Sequence, residues 1–159
     1  MAFGRVKRTR KGFALRIPQA ERDVLRALPG QLRGLLTEGD ATKDPIVRRL
    51  FPSAYPDEPE RAAEFDAMVR DDLVAQRMQA IDVMERTIDA DRLSEDELVA
   101  WLSAINDLRL VLGTRLDVTE EMTELEVGVP PEDPRAQMFA VYAYLSYLEE
   151  DVVGALSGA

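Results

Sequence analysis

The carboxylates Asp89, Asp91, Glu95, Asp96 and Glu97 are the first residues whose type and spacing suggest chemistry, as oxygen ligands for a hard cation. A calcium loop counted from Asp89 needs a ligand at its fifth position, glycine at its sixth and glutamate at its twelfth. Leu93, Ser94 and Ala100 stand there instead. The cluster therefore reads as an acidic turn whose charges favour the N-terminus of the next helix. Asp71-Asp72 and Glu149-Glu150-Asp151 could be nominated for paired acid–base work, but neighbours along a helix point to different sides. The chain has no histidine and no cysteine. That excludes imidazole bases and ligands, thiolate nucleophiles, disulfides and the Glu-x-x-His motifs of di-iron bundles. A glycine-rich phosphate loop is also missing. The expectation is a protein that is not an enzyme and uses no metal or cofactor.

Three groups of residues remain as binding candidates. Arg5, Lys7, Arg8, Arg10 and Lys11 form a basic N-terminal cluster in a chain of net charge −10. They could contact nucleic-acid phosphates, but the bulk acidic field opposes that. The plainer reading is a solvated hairpin edge whose charges deter edge pairing. Phe51 and Tyr55 flank a proline-rich loop, with Arg48 and Arg49 just before it, and these four are the candidate partner contacts. Phe51 is expected to anchor in the core and Tyr55 to face the partner, since aromatics dominate interface hot spots. Asn106, Asp107 and Arg109 interrupt an otherwise apolar helix. Asn106 and Arg109 are spaced to share a face, and the expectation is structural polar pairing, with a neighbouring loop as the partner.

The elements that must position these residues are mostly helices. Segments 3–8 and 12–17 flank Thr9-Arg10-Lys11-Gly12. In the second, Phe13, Leu15 and Ile17 alternate with Ala14 and Arg16, which is strand periodicity. Gly12 can take the positive φ that the hairpin loop needs, and the Phe13/Leu15/Ile17 face is expected to lie on helices. After Pro18, the stripe Val24, Leu25, Leu28, Leu32, Leu35 and Leu36 keeps its phase across Pro29-Gly30, so a kinked but continuous helix is expected. Short helices are expected at 45–50 and 120–125, and a long one from about Pro59 to Ile88 with Leu73, Ile81 and Met84 on its core side. Ser94 and Glu97 form a capping box that opens a helix to about Leu112, with an extension through Leu116 left open. The last helix, from Pro134 to about Leu156, is apolar on more than one side and is expected at the centre of the bundle.

Hydrophobic content of 46% over 159 residues suits one folded domain. We expect a mainly α, single-domain helical bundle over 1–159, with a β-hairpin at 1–17 packed on a bundle at 18–158. No apolar stretch approaches a membrane span and no secretory signal is evident, so a cytoplasmic location is expected.

Three blocks also carry a family resemblance. They are Asp44-Pro45 through Arg49-Leu50-Phe51-Pro52 to Ala54-Tyr55; Trp101-Leu102 through Asn106-Asp107-Leu108-Arg109-Leu110 to Leu116; and Tyr144-Leu145 with Leu148. In this order the chain resembles an actinobacterial family of small helical proteins, a domain of unknown function that includes an oxidative-stress transcriptional regulator. The resemblance implies a non-enzymatic regulatory role through contact with a sigma factor or another transcription component. In that regulator the role is tied to a cysteine pair, which this chain lacks, so the redox switch does not carry over. A proteolysis-linked adaptor and a nucleic-acid-contacting protein are the alternatives. The expected partner is a protein, with no direct nucleic-acid or membrane contact, and the chain itself a monomer or weak homodimer.

Overall fold

A computed structural model describes residues 4–38, 50, 59–116 and 132–158, without the side chains of 38, 59, 61–71. In order, the elements are β1 (Val6–Thr9), β2 (Gly12–Leu15), α1 (Gln19–Ala27), α2 (Pro29–Glu38), α3 (Pro59–Arg86), β3 (Arg92–Leu93), α4 (Glu95–Arg115) and α5 (Ala136–Leu156). The architecture is mainly α with a small antiparallel sheet, as the periodicity predicts. The expected short helices at 45–50 and 120–125 lie outside the described residues, Leu50 excepted.

The hairpin is there, and it has a third strand. β1 pairs with β2 in the register Val6–Leu15, Lys7–Ala14, Arg8–Phe13 and Thr9–Gly12. β2 then pairs with β3 through Phe13–Leu93 and Ala14–Arg92. Gly12 has φ 130°, and a Cβ there would lie 2.6 Å from the carbonyl oxygen of Leu93. Both the turn and the close approach of β3 therefore require glycine. Val6, Phe13, Leu15, Ile17 and Leu93 are all buried in the one core that the helices share, so the hairpin face does lie on helices.

Two helix expectations are corrected. At Pro29 the helix breaks instead of kinking. Leu28 ends α1 at φ −85°, ψ −40°, and Pro29, which has no N–H to continue the ladder, opens α2. The apolar phase survives the break, with Leu25, Leu28, Leu32 and Leu36 buried, whereas Val24 is 41% exposed. The second correction concerns the centre of the bundle, which is α4 and not α5. α4 packs on both α3 and α5 and buries Leu98, Trp101, Ala104, Ile105, Leu108, Val111 and Leu112. α5 leaves Tyr147 and Val153 exposed. On α3, Ile81 and Met84 are fully buried, but Leu73 is 38% exposed.

The capping box is complete. Ser94 Oγ accepts from the Glu97 N–H at 3.1 Å, and Glu97 Oε1 accepts from the Ser94 N–H at 2.8 Å. The acidic turn thus serves the start of α4, which runs on through Arg115 to its cap at Leu116.

Candidate functional site

The basic cluster divides into two sets. Arg5 Nη2 donates to Glu21 Oε2 at 2.8 Å and its Nε to Oε1 at 2.9 Å. This fork joins the hairpin to α1, raises the Arg5 pKa and holds the Glu21 carboxyl below its usual range. The Arg5 N–H donates to Asp151 Oδ2 at 2.7 Å. Arg8 lies 5.1 Å above the Phe13 ring and donates to the carbonyls of Ala155 at 3.1 Å and Leu156 at 2.8 Å. A cation there satisfies carbonyls at the C-terminal end of α5, which carry the negative end of its dipole. Arg5 and Arg8 are therefore structural ties. Lys7, Arg10 and Lys11 are exposed.

The polar group on α4 also separates, and its partners are helices rather than a loop. Asp107 is buried at 2% exposure and pairs with Arg77 Nη1 on α3. Burial raises its pKa, and the Arg77 hydrogen bond acts against that rise. Arg77 Nη2 donates to the Leu50 carbonyl at 3.0 Å. Arg109 turns to α5, where it donates to Ser146 Oγ at 3.0 Å, pairs with Glu149 and lies 5.6 Å from the Tyr142 ring centre. Asn106 is exposed. It lines a cleft of about 240 Å³ with Leu73, Gln76, Arg77, Ser103 and Asp107.

Arg77 was missed in the sequence. A carboxylate inside an apolar helix stripe demands a counter-charge on the facing helix, and that demand could have pointed to it. Phe51, Tyr55, Arg48 and Arg49 lie outside the described residues. Leu50, immediately before Phe51, is 1% exposed, and its carbonyl accepts from Arg77, the partner of Asp107. Among the described residues no cluster of His, Cys, Asp or Glu is arranged to hold a metal. No described helix is long and apolar enough to cross a membrane.

The chain is 28% identical to the oxidative stress regulator AosR of Mycobacterium tuberculosis over 190 aligned positions, covering 95% of this chain and 86% of that protein. It is 29% identical to the putative oxidative stress regulator AosR of Mycobacterium leprae, covering 84% of this chain and 77% of the relative. No solved structure matches it. The family described as Domain of unknown function (DUF2017) matches residues 3–156. With this match running from before the first strand to the end of the last helix, the chain belongs to the DUF2017 family.

Proposed function

We propose that this chain is a non-enzymatic regulatory protein of the oxidative-stress response that works by binding another protein, a sigma factor or another component of transcription. The observation that carries this reading is the similarity to proteins named oxidative stress regulators along 95% of the chain. The absence of cysteine shapes it further. A thiol switch within this chain is chemically excluded, so the chain supplies the binding part of such a regulator, and any thiol chemistry belongs to the partner.

The contact we assign to this role is the loop from Phe51 to Tyr55, with Arg48 and Arg49 before it. Pro52 and Pro56 restrict the backbone on either side of Tyr55, which lowers the entropy lost on binding. Leu50, the residue just before this segment, is buried, and its carbonyl accepts from Arg77. The test is capture of partners from native lysate by the full chain, read by quantitative mass spectrometry, beside Phe51→Ala and Tyr55→Ala. A transcription component should be enriched. Tyr55→Ala should weaken its binding by roughly 2 kcal/mol while changing stability by about 1 kcal/mol or less. Phe51→Ala should cost roughly 3–5 kcal/mol of stability. Enrichment of protease components in place of transcription components would replace this reading with that of a proteolysis adaptor.

A further inference from the structure

The sheet register gathers cations that are far apart in the chain. Lys7 stands opposite Ala14, and Ala14 opposite Arg92 on β3. The adjacent positions Val6, Phe13, Leu15 and Leu93 are buried. Strand alternation therefore puts the row Lys7–Ala14–Arg92 on the outer face. Arg16 continues that face, its N–H donating to the Arg5 carbonyl at 2.7 Å. Lys7, Arg16 and Arg92 are exposed, as are Arg10 and Lys11 at the turn, and none of the five makes an ion pair among the described residues.

Several other described arginines find acids: Arg26 pairs with Asp89, Arg33 with Asp82 and Glu85, and Arg109 with Glu149. In a chain of net charge −10, a cluster of uncovered cations is the local exception, and its complement is anionic. Two features select among anions. The floor of the row is Ala14, and the aromatic of this sheet, Phe13, is 2% exposed on the other face, so the described residues of the outer face offer bases no ring to stack on. The patch is also short. It spans two strand spacings, about 10 Å, and ends at the fully exposed carboxylate of Asp91 and the exposed Glu95 and Asp96, which repel a phosphate backbone running further.

We infer that the outer face of the sheet, with Lys7, Arg16 and Arg92 around Ala14, docks a short acidic segment of a protein partner. That the occupant is a protein rests on the function proposed above. The cations provide charge-assisted hydrogen bonds to carboxylates, and Arg92 can bind one bidentately in a way that Lys7 cannot.

The test is amide NMR of the full-length protein titrated at low salt with a hexaglutamate peptide and, at matched ionic strength, with hexathymidylate. The peptide should shift the amides of Lys7, Ala14, Arg16 and Arg92 saturably, and the effect should fade as salt rises. Lys7→Glu and Arg92→Glu should each weaken it about tenfold or more without lowering the melting temperature. The two variants lie on different strands, so misfolding of one leaves the other to decide. Absence of saturable shifts, shifts indifferent to a folded variant, or saturation by hexathymidylate at lower concentration than the peptide would overturn the inference. Capture of a transcription component without any peptide response would sink this inference alone. A peptide response without such capture would sink only the reading of the partner.

Discussion

Arg22 Nη1 donates to the carbonyl of Ile88 at 2.9 Å, and the same nitrogen reaches the Ala90 carbonyl at 2.8 Å. Its Nε donates to Ile17 at 2.8 Å. The residue is 6% exposed, so one buried guanidinium joins α1, the exit of β2 and the end of α3 through backbone oxygens. Its nearest carboxylate, Asp91, is 3.9 Å away and fully exposed.

Replacing Arg22 by Met would leave buried carbonyls without donors, which should cost about 3 kcal/mol. Arg22→Lys should recover less than half of that, because a single ammonium cannot reproduce the planar fork. Urea unfolding checks both. A loss under about 1 kcal/mol for Arg22→Met would mean that water replaces the guanidinium.

The indole N–H of Trp101 donates to Thr87 Oγ1 at 2.7 Å inside the core, and the same hydroxyl donates to the Val83 carbonyl at 2.6 Å. Thr87→Val keeps the shape and leaves the indole N–H unpaired, for a loss of about 1–3 kcal/mol. Thr87→Ser keeps the hydroxyl and should cost less. Trp101 is the sole tryptophan, so its emission reports the change directly, and an unaltered spectrum in Thr87→Val would contradict it.

Two carboxyls set opposite pH dependences. Glu21 is held low by Arg5. The stability it contributes is fully present above its ordinary value of 4.5 and is lost as pH falls through the lower folded value. Asp107 is raised by burial. Between its ordinary value of 3.8 and its higher folded value, the folded state keeps a proton that the unfolded state has released, so its contribution falls as pH rises. Glu21→Gln should flatten the loss of stability on acidification. Asp107→Asn should steepen the rise of stability with pH through the Asp107 window. Urea midpoints measured across roughly pH 3 to 7 would show parallel curves if neither group were coupled to folding.

Mild peroxide should leave the isolated protein without any change that thiol reductants reverse, since no sulfur here can form a disulfide. Methionine oxidation is slower to matter at Met84, which is fully buried. A reductant-reversible shift in partner binding, seen with a cysteine-free partner, would refute this.

What was legible in the sequence follows from where local chemistry decides. Ser94 and Glu97 define a cap through their own side chains, and Gly12 defines a turn through its own φ, so both could be read directly. The stripe through Leu25 and Leu36 reports which face is apolar but not how wide the covered strip is, and Val24 and Leu73 were over-read as core for that reason. Stripe phase cannot separate a kink from a break either, because the apolar register is the same on both sides of Leu28. β3 has two residues, too few for any period. The counter-charge of Asp107 and the burial of Arg22 depend on facing elements, which only the assembled fold brings together.

The ties that close the sheet onto the rest of the molecule also set when its folding can finish relative to its synthesis. Arg5 and Arg8 reach Asp151, Ala155 and Leu156 across 146 to 148 positions, and β2 waits for Arg92–Leu93. On a ribosome adding about 5–20 residues per second, β1 and β2 emerge seconds before α5 does, with Val6, Phe13 and Leu15 still without it. Lys7, Arg8, Arg10 and Lys11, interleaved with that apolar side, then act as gatekeepers against pairing between nascent chains. α5 completes β1, a strand made well before it, and the cations that guard the strand during translation include Arg8, which later clasps that helix.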